Sequence, residues 1–99
     1  MIVIEYLNKK VEKKYSALIV NGHSKNVVVC NIISLIMKNF EIACVESNID
    51  YKFNCPKPGK YEIFFKDLNE KFEFFLNVFL KNLDWLKKQF DKDILLKKE

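Results

Sequence analysis

Apolar and polar residues alternate from the start of the chain. Ile2, Ile4 and Tyr6 face one way and Val3, Glu5 and Leu7 the other, the two-residue period of a strand. Asn8-Lys9-Lys10 reads as a polar turn, and Val11 to Val20 as a second extended run, strongest at Leu18-Ile19-Val20. The two runs predict a hairpin, ended by the turn signal Asn21-Gly22. Val27 to about Val45 is the most apolar segment. Among its polar residues, Asn31, Ser34, Lys38 and Glu41 recur at helical intervals. This predicts a mostly buried helix with one narrow wet stripe, capped somewhere between Ser24 and Asn26.

The second half repeats the pattern. Ile49, Tyr51 and Phe53 alternate with Asp50, Lys52 and Asn54 as a strand with one wet face. Cys55-Pro56-Lys57-Pro58-Gly59 is expected as a loop, because proline cannot donate to a sheet ladder. Tyr61 to Lys66 is the partner strand. Asp67 with Glu70 resembles a capping box. The helix after it sets Leu68, Phe72, Phe75, Leu76, Phe79, Leu83, Leu86 and Phe90 on one stripe, and Phe74, Val78 and Trp85 on a second. Ile94-Leu95-Leu96 is a short final strand. The order ββ-α-ββ-α-β predicts an α+β two-layer sandwich over residues 1–99, with two helices on one face of a four- or five-stranded mixed sheet. Its open face would keep apolar residues such as Val3, Leu18 or Phe64, an area that favours a homodimer.

Composition narrows the function classes. With 99 residues, 49% apolar and 30% charged, the chain fits one globular domain and excludes disorder. No apolar run reaches the roughly 18 residues that span a bilayer, and no basic segment precedes an apolar stretch at the N-terminus. A cytoplasmic protein with no membrane partner is therefore expected. All 17 basic residues are lysine, and net charge is only +4. Without the planar fork of arginine, specific nucleic-acid reading is not expected; spread lysines support only weak, salt-sensitive contact with RNA. Cys30, Cys44 and Cys55 are odd in number and form no Cys-x-x-Cys pair, so neither a disulfide framework nor a metal site is expected. No cofactor is implied.

One pair of residues carries chemistry. His23 is the sole histidine and follows the second strand; Cys30 lies in the first turn of the apolar helix. A thiolate at a helix N-terminus is stabilised by the macrodipole and by a nearby imidazolium, and first-turn amides can receive an oxyanion. Ser34 falls one turn beyond Cys30 on the same face. The plain alternative is that Cys30 is a core residue, since free cysteine is among the most buried residue types. Cys44 reads as core, and Cys55 as incidental.

Val20-Asn21-Gly22-His23, followed by Cys30-Asn31-Ile32-Ile33-Ser34-Leu35, resembles the ribosomal-processing cysteine proteases, the Prp family. That family places Gly-His at the end of strand two and Cys-x-x-x-Ser at the opening of helix one. The inserted strand pair, the long second helix and the spacing from Phe90 to Ile94 are similar. The resemblance implies a cytoplasmic, homodimeric cysteine endopeptidase that removes an N-terminal extension from a large-subunit ribosomal protein. By position, His23 would be the base and Cys30 the nucleophile. Ser34 would line the substrate groove and Gly22 would let the backbone turn toward it, with Asn26 beside the substrate as an amide partner for His23. One departure stands out. The loop Ser24-Lys25-Asn26-Val27-Val28-Val29 is shorter than in many members, and Val27 occupies the place of an aspartate. A non-catalytic ribosome-associated or assembly module of the same fold is the alternative.

Overall fold

The computed structural model describes residues 1–8 and 15–99. The order is β1 (Ile2–Leu7), β2 (Ser16–Gly22), α1 (Val27–Glu46), β3 (Asp50–Lys57), β4 (Lys60–Lys66), α2 (Glu70–Gln89) and β5 (Ile94–Lys98). The strands form one five-stranded sheet in the order β3-β4-β2-β1-β5. β1 pairs antiparallel with β2 and parallel with β5, so the sheet is mixed as expected. The predicted strand over Val11 to Lys14 lies outside the described residues.

Alternation along the strands sets the core. Ile2, Ile4 and Tyr6 of β1, Leu18 and Val20 of β2, Ile63 and Phe65 of β4 and Ile94 of β5 are buried together with one face of each helix. Phe40 of α1 is the hub. Its ring centroid lies 5.3 Å from that of Phe65, 5.6 Å from Phe72, 5.6 Å from Phe75 and 4.8 Å from Phe79. Most of these contacts are edge-to-face or tilted, the arrangement that aromatic quadrupoles favour. One side chain thus locks α1, α2 and the sheet together. The open sheet face keeps Val3 and Phe64 half-buried, but Leu18 belongs to the core, because its register partners Tyr6 and Ile63 face the helices.

Several expectations are corrected. β3 runs through Cys55 and Pro56 to Lys57, and only Pro58-Gly59 turns. β3 is an edge strand with a register shift between Asn54 and Lys57, where a missing N–H costs no inner ladder bond. Asn21 and Gly22 belong to β2 rather than to a turn. The cap of α2 is Asn69, not Asp67. Asp67 takes a left-handed φ of 56°, while Asn69 Oδ1 accepts the Phe72 amide at 2.9 Å and its Nδ2 donates to the Ser47 carbonyl at 2.6 Å. One asparagine therefore ties the start of α2 to the end of α1.

The largest correction concerns α1. Only Val29, Ile33, Met37, Phe40 and Cys44 are buried along its 20 residues. Val27, Val28, Leu35, Ile42 and Val45 are exposed despite being apolar. The helix is also long and apolar enough to cross a membrane by length and composition, because Lys38 and Glu41 interrupt it too sparsely. In this structure one face packs on the sheet and α2.

Phe40→Ala is expected to lower unfolding stability by about 3–5 kcal/mol, as for other large core aromatics. Phe74→Ala, at an exposed position of α2, should stay within about 0.5 kcal/mol. Urea denaturation of both variants checks the contrast.

Candidate active site

One end of the sheet gathers residues that are distant in sequence. The register sets Ile2 opposite Gly22 on one side and Ile94 on the other. The Gly22 amide donates to the Gly59 carbonyl at 3.0 Å, which brings the β3–β4 turn to the end of β2. His23 leaves the sheet here, and its carbonyl accepts the Met1 ammonium at 2.7 Å. Gly22 has a φ of +112°, and a Cβ on it would collide with the Met1 carbonyl, so glycine is required on both counts.

The loop from Ser24 to Asn26 then turns into α1. Asn26 is the N-cap: its Oδ1 accepts the Val28 amide at 3.0 Å. The Cys30 amide donates to the Asn26 carbonyl at 3.2 Å. Two first-turn amides are therefore already engaged and are not open to an oxyanion. Asn26 is absent from the cavity walls described next, so its part is to start the helix that carries Cys30.

Four of the five residues singled out in the sequence meet at one cavity of about 230 Å³. Gly22, His23, Cys30 and Ser34 line it with Ile2, Val20, Ile33, Pro58, Gly59 and Tyr61. The floor is apolar, and the polar groups stand at its margin. Cys30 is half-buried and packs against the core, whereas His23 and Ser34 are exposed. The Cys30 thiol donates to the Ser24 carbonyl at 3.4 Å, not to His23. The His23 ring makes no hydrogen bond among the described residues. It rests against Gly59: a Cβ there would stand 2.6 Å from Nε2 and 3.0 Å from Nδ1. Ser34 Oγ donates to the Cys30 carbonyl at 3.1 Å and lies 3.2 Å from the Tyr61 hydroxyl. With the serine proton on that carbonyl, Tyr61 is the donor between the two hydroxyls.

Sequence reasoning missed Gly59, Tyr61 and Asp93. Asp93 Oδ1 accepts the Ser24 hydroxyl at 2.6 Å, so the acid that touches this loop comes from the turn before β5 rather than from position 27. A Pro-Gly turn beside the end of a His-bearing strand was the one available signal for Gly59. Cys44 and Cys55 lie elsewhere. Cys44 is fully buried, and burial first and Glu41 second push its thiol up to about 12. Cys55 is exposed, its thiol donating to the Lys57 carbonyl at 3.7 Å.

Gly59→Ala is expected to displace the His23 ring, because the new methyl would overlap it and because φ at 59 is +83°. The histidine Cε1–H and Cδ2–H proton resonances should shift while the core methyl resonances stay in place. Unchanged ring resonances would contradict the packing.

No known family profile matches the chain. No curated protein matches its sequence either. Solved structures do. The ribosomal processing protease Prp from S. aureus, in complex with a covalently linked product peptide, superposes with a TM-score of 0.84 at 20% identity over 100% of both chains. The same protease with a substrate peptide gives 0.77 at 15% identity, again over 100% of both chains. A Streptococcus mutans protein gives 0.77 at 16% identity over 99% of this chain and 96% of its own. The resemblance read from the Gly-His and Cys-x-x-x-Ser segments thus holds at the level of the whole fold: this chain has the fold of the Prp ribosomal processing proteases.

Proposed function

We propose that this protein is a cysteine endopeptidase of the Prp type, with Cys30 as nucleophile and His23 as base. The observation that carries the reading is the cavity at the sheet end, which has both residues in its walls within a fold shared with peptide-bound proteases. Cys30 passes its proton to His23, and the sulfur attacks the scissile carbonyl. Collapse of the tetrahedral intermediate breaks the C–N bond, and His23 returns the proton to the leaving amine. Water, deprotonated by His23, then hydrolyses the thioester. The substrate class is a peptide, and by analogy with the neighbours it is the N-terminal extension of a ribosomal protein. Ser34 and Gly22, in the same walls, are assigned to its binding.

In the resting arrangement the thiol bonds to Ser24, so the Cys30–His23 contact must form by rotation of the thiol when a peptide enters. The same observation favours the second reading, a non-catalytic assembly module of this fold. Activity separates the two. Cys30→Ala is expected to abolish cleavage of a peptide that copies a ribosomal extension, and His23→Ala to abolish turnover and slow iodoacetamide labelling of Cys30 at pH 7. Cys44 should stay unlabelled in the folded protein, since it is buried and its thiol is held protonated. Equal Cys30 labelling in wild type and His23→Ala, with no cleavage by either, would leave the second reading.

The proposal includes a cytoplasmic homodimer. Its support is exposed apolar surface: Leu35 and Ile42 on α1, and Phe74, Val78 and Trp85 on α2, besides Leu95 on the sheet. Sedimentation at micromolar concentration should give about twice the chain mass. A monomer would contradict it.

A further inference from the structure

Asp93 is held rigidly. Its amide donates to the Phe90 carbonyl at 2.9 Å, and its carbonyl accepts the Ile2 amide at 2.8 Å. Its side chain accepts the Ser24 hydroxyl at 2.6 Å, a charge-assisted bond of the short, strong kind. Ser24 Oγ also accepts the Asn26 amide at 3.0 Å, and Asn26 caps α1 through Val28. The Ser24 carbonyl accepts the Cys30 thiol. Ser24 therefore carries three bonds at once: to an acid anchored in the sheet, to the helix cap and to the sulfur. The loop it belongs to has no glycine or proline and no buried side chain before Val29. Beyond α1, its hydrogen bonds to the rest of the chain run through this serine and through the Met1–His23 bond, and the His23 ring rests against Gly59.

We propose that Asp93 is a positioning residue for Cys30. By holding the Ser24 hydroxyl it keeps the Ser24 carbonyl over the thiol and the loop against the rim of the cavity. The turn before β5 thereby sets the direction in which the sulfur points. Only the kinetic arm of this inference rests on the peptidase reading; the effect on the thiol does not.

Asp93→Ala removes the anchor, while Asp93→Asn keeps an oxygen that can accept the hydroxyl. Ser24→Ala removes the other end and tests the same bond should Asp93→Ala fold poorly. Iodoacetamide labelling of Cys30, read by mass spectrometry, is expected to rise about fivefold in Asp93→Ala and in Ser24→Ala as the freed loop uncovers the sulfur. The double variant should match the singles, since both remove one interaction. Asp93→Asn should return most of the wild-type rate, and Cys44 should stay protected throughout. With a peptide substrate, kcat should fall about tenfold in the alanine variants with KM within about twofold, because the freed loop also loosens His23, the neighbour of Ser24, toward which the thiol must turn. Unchanged Cys30 labelling, additive effects in the double variant, or a rise shared by Cys44 would overturn the proposal. So would a kinetic loss carried by KM alone. A wild-type protein that cleaves nothing would overturn the peptidase reading instead, and the labelling would still judge Asp93.

Discussion

The aromatic packing around Phe40 is the constraint on which the rest depends. A helix laid on a sheet can rotate about its axis and slide along it, and only specific packing fixes both. Phe40 does so by meeting Phe65 of β4 and Phe72, Phe75 and Phe79 of α2. Once Phe40 points inward, positions 29, 33, 37 and 44 must share its face, because they differ from it by helical intervals, while position 30 falls to the side. Ile33, Met37 and Cys44 are buried accordingly. Cys30 follows the fully buried Val29 and is turned to the side of that stripe, at the margin of the core near the sheet end, and it is half-buried for that reason. A thiol at the margin of a core has an apolar wall behind it and an open side for a peptide.

The remaining parts of the site come from strand ends. Sheet register brings Gly22, Gly59, Ile2 and Asp93 to the same edge of the molecule, although they lie far apart in sequence. Asp93 and Met1 supply hydrogen-bond partners to the short segment between β2 and α1, and Gly59 meets the His23 ring. The two glycines act through what they lack. One lets the chain pass the Met1 carbonyl, and the other leaves room for an imidazole. The position that holds an aspartate in many Prp proteases is valine here, and a carboxylate from before β5 meets the loop instead.

The order of elements was legible in the sequence because alternation and helical spacing report burial directly. So was the arrival of His23 and Cys30 at one cavity, since a strand end and a helix start joined by six residues cannot be far apart. Other features were hidden for physical reasons. Pro56 argues against a strand locally, but an edge strand tolerates it, and edge position depends on the sheet order. Asp67 and Asn69 are both good caps, and the choice rests on the Ser47 carbonyl that Asn69 alone reaches. The apolar residues of α1 suggested burial all round, yet two helices on one face of a small sheet cannot cover each other's outer sides. Tyr61 and Asp93 join the site through cross-strand register, which no local pattern encodes.

The proposed reaction requires the Cys30 sulfur to form a covalent bond with the carbonyl carbon of a peptide. The direct measurement is acid-quench mass spectrometry after mixing the protein with a peptide ester of the substrate type. Acylation by the ester outruns hydrolysis of the thioester, so the intermediate should accumulate. The account predicts an increase equal to one acyl group, mapped to the tryptic fragment containing Cys30 and absent in His23→Ala. No adduct, or an adduct on exposed Cys55 instead, would contradict it.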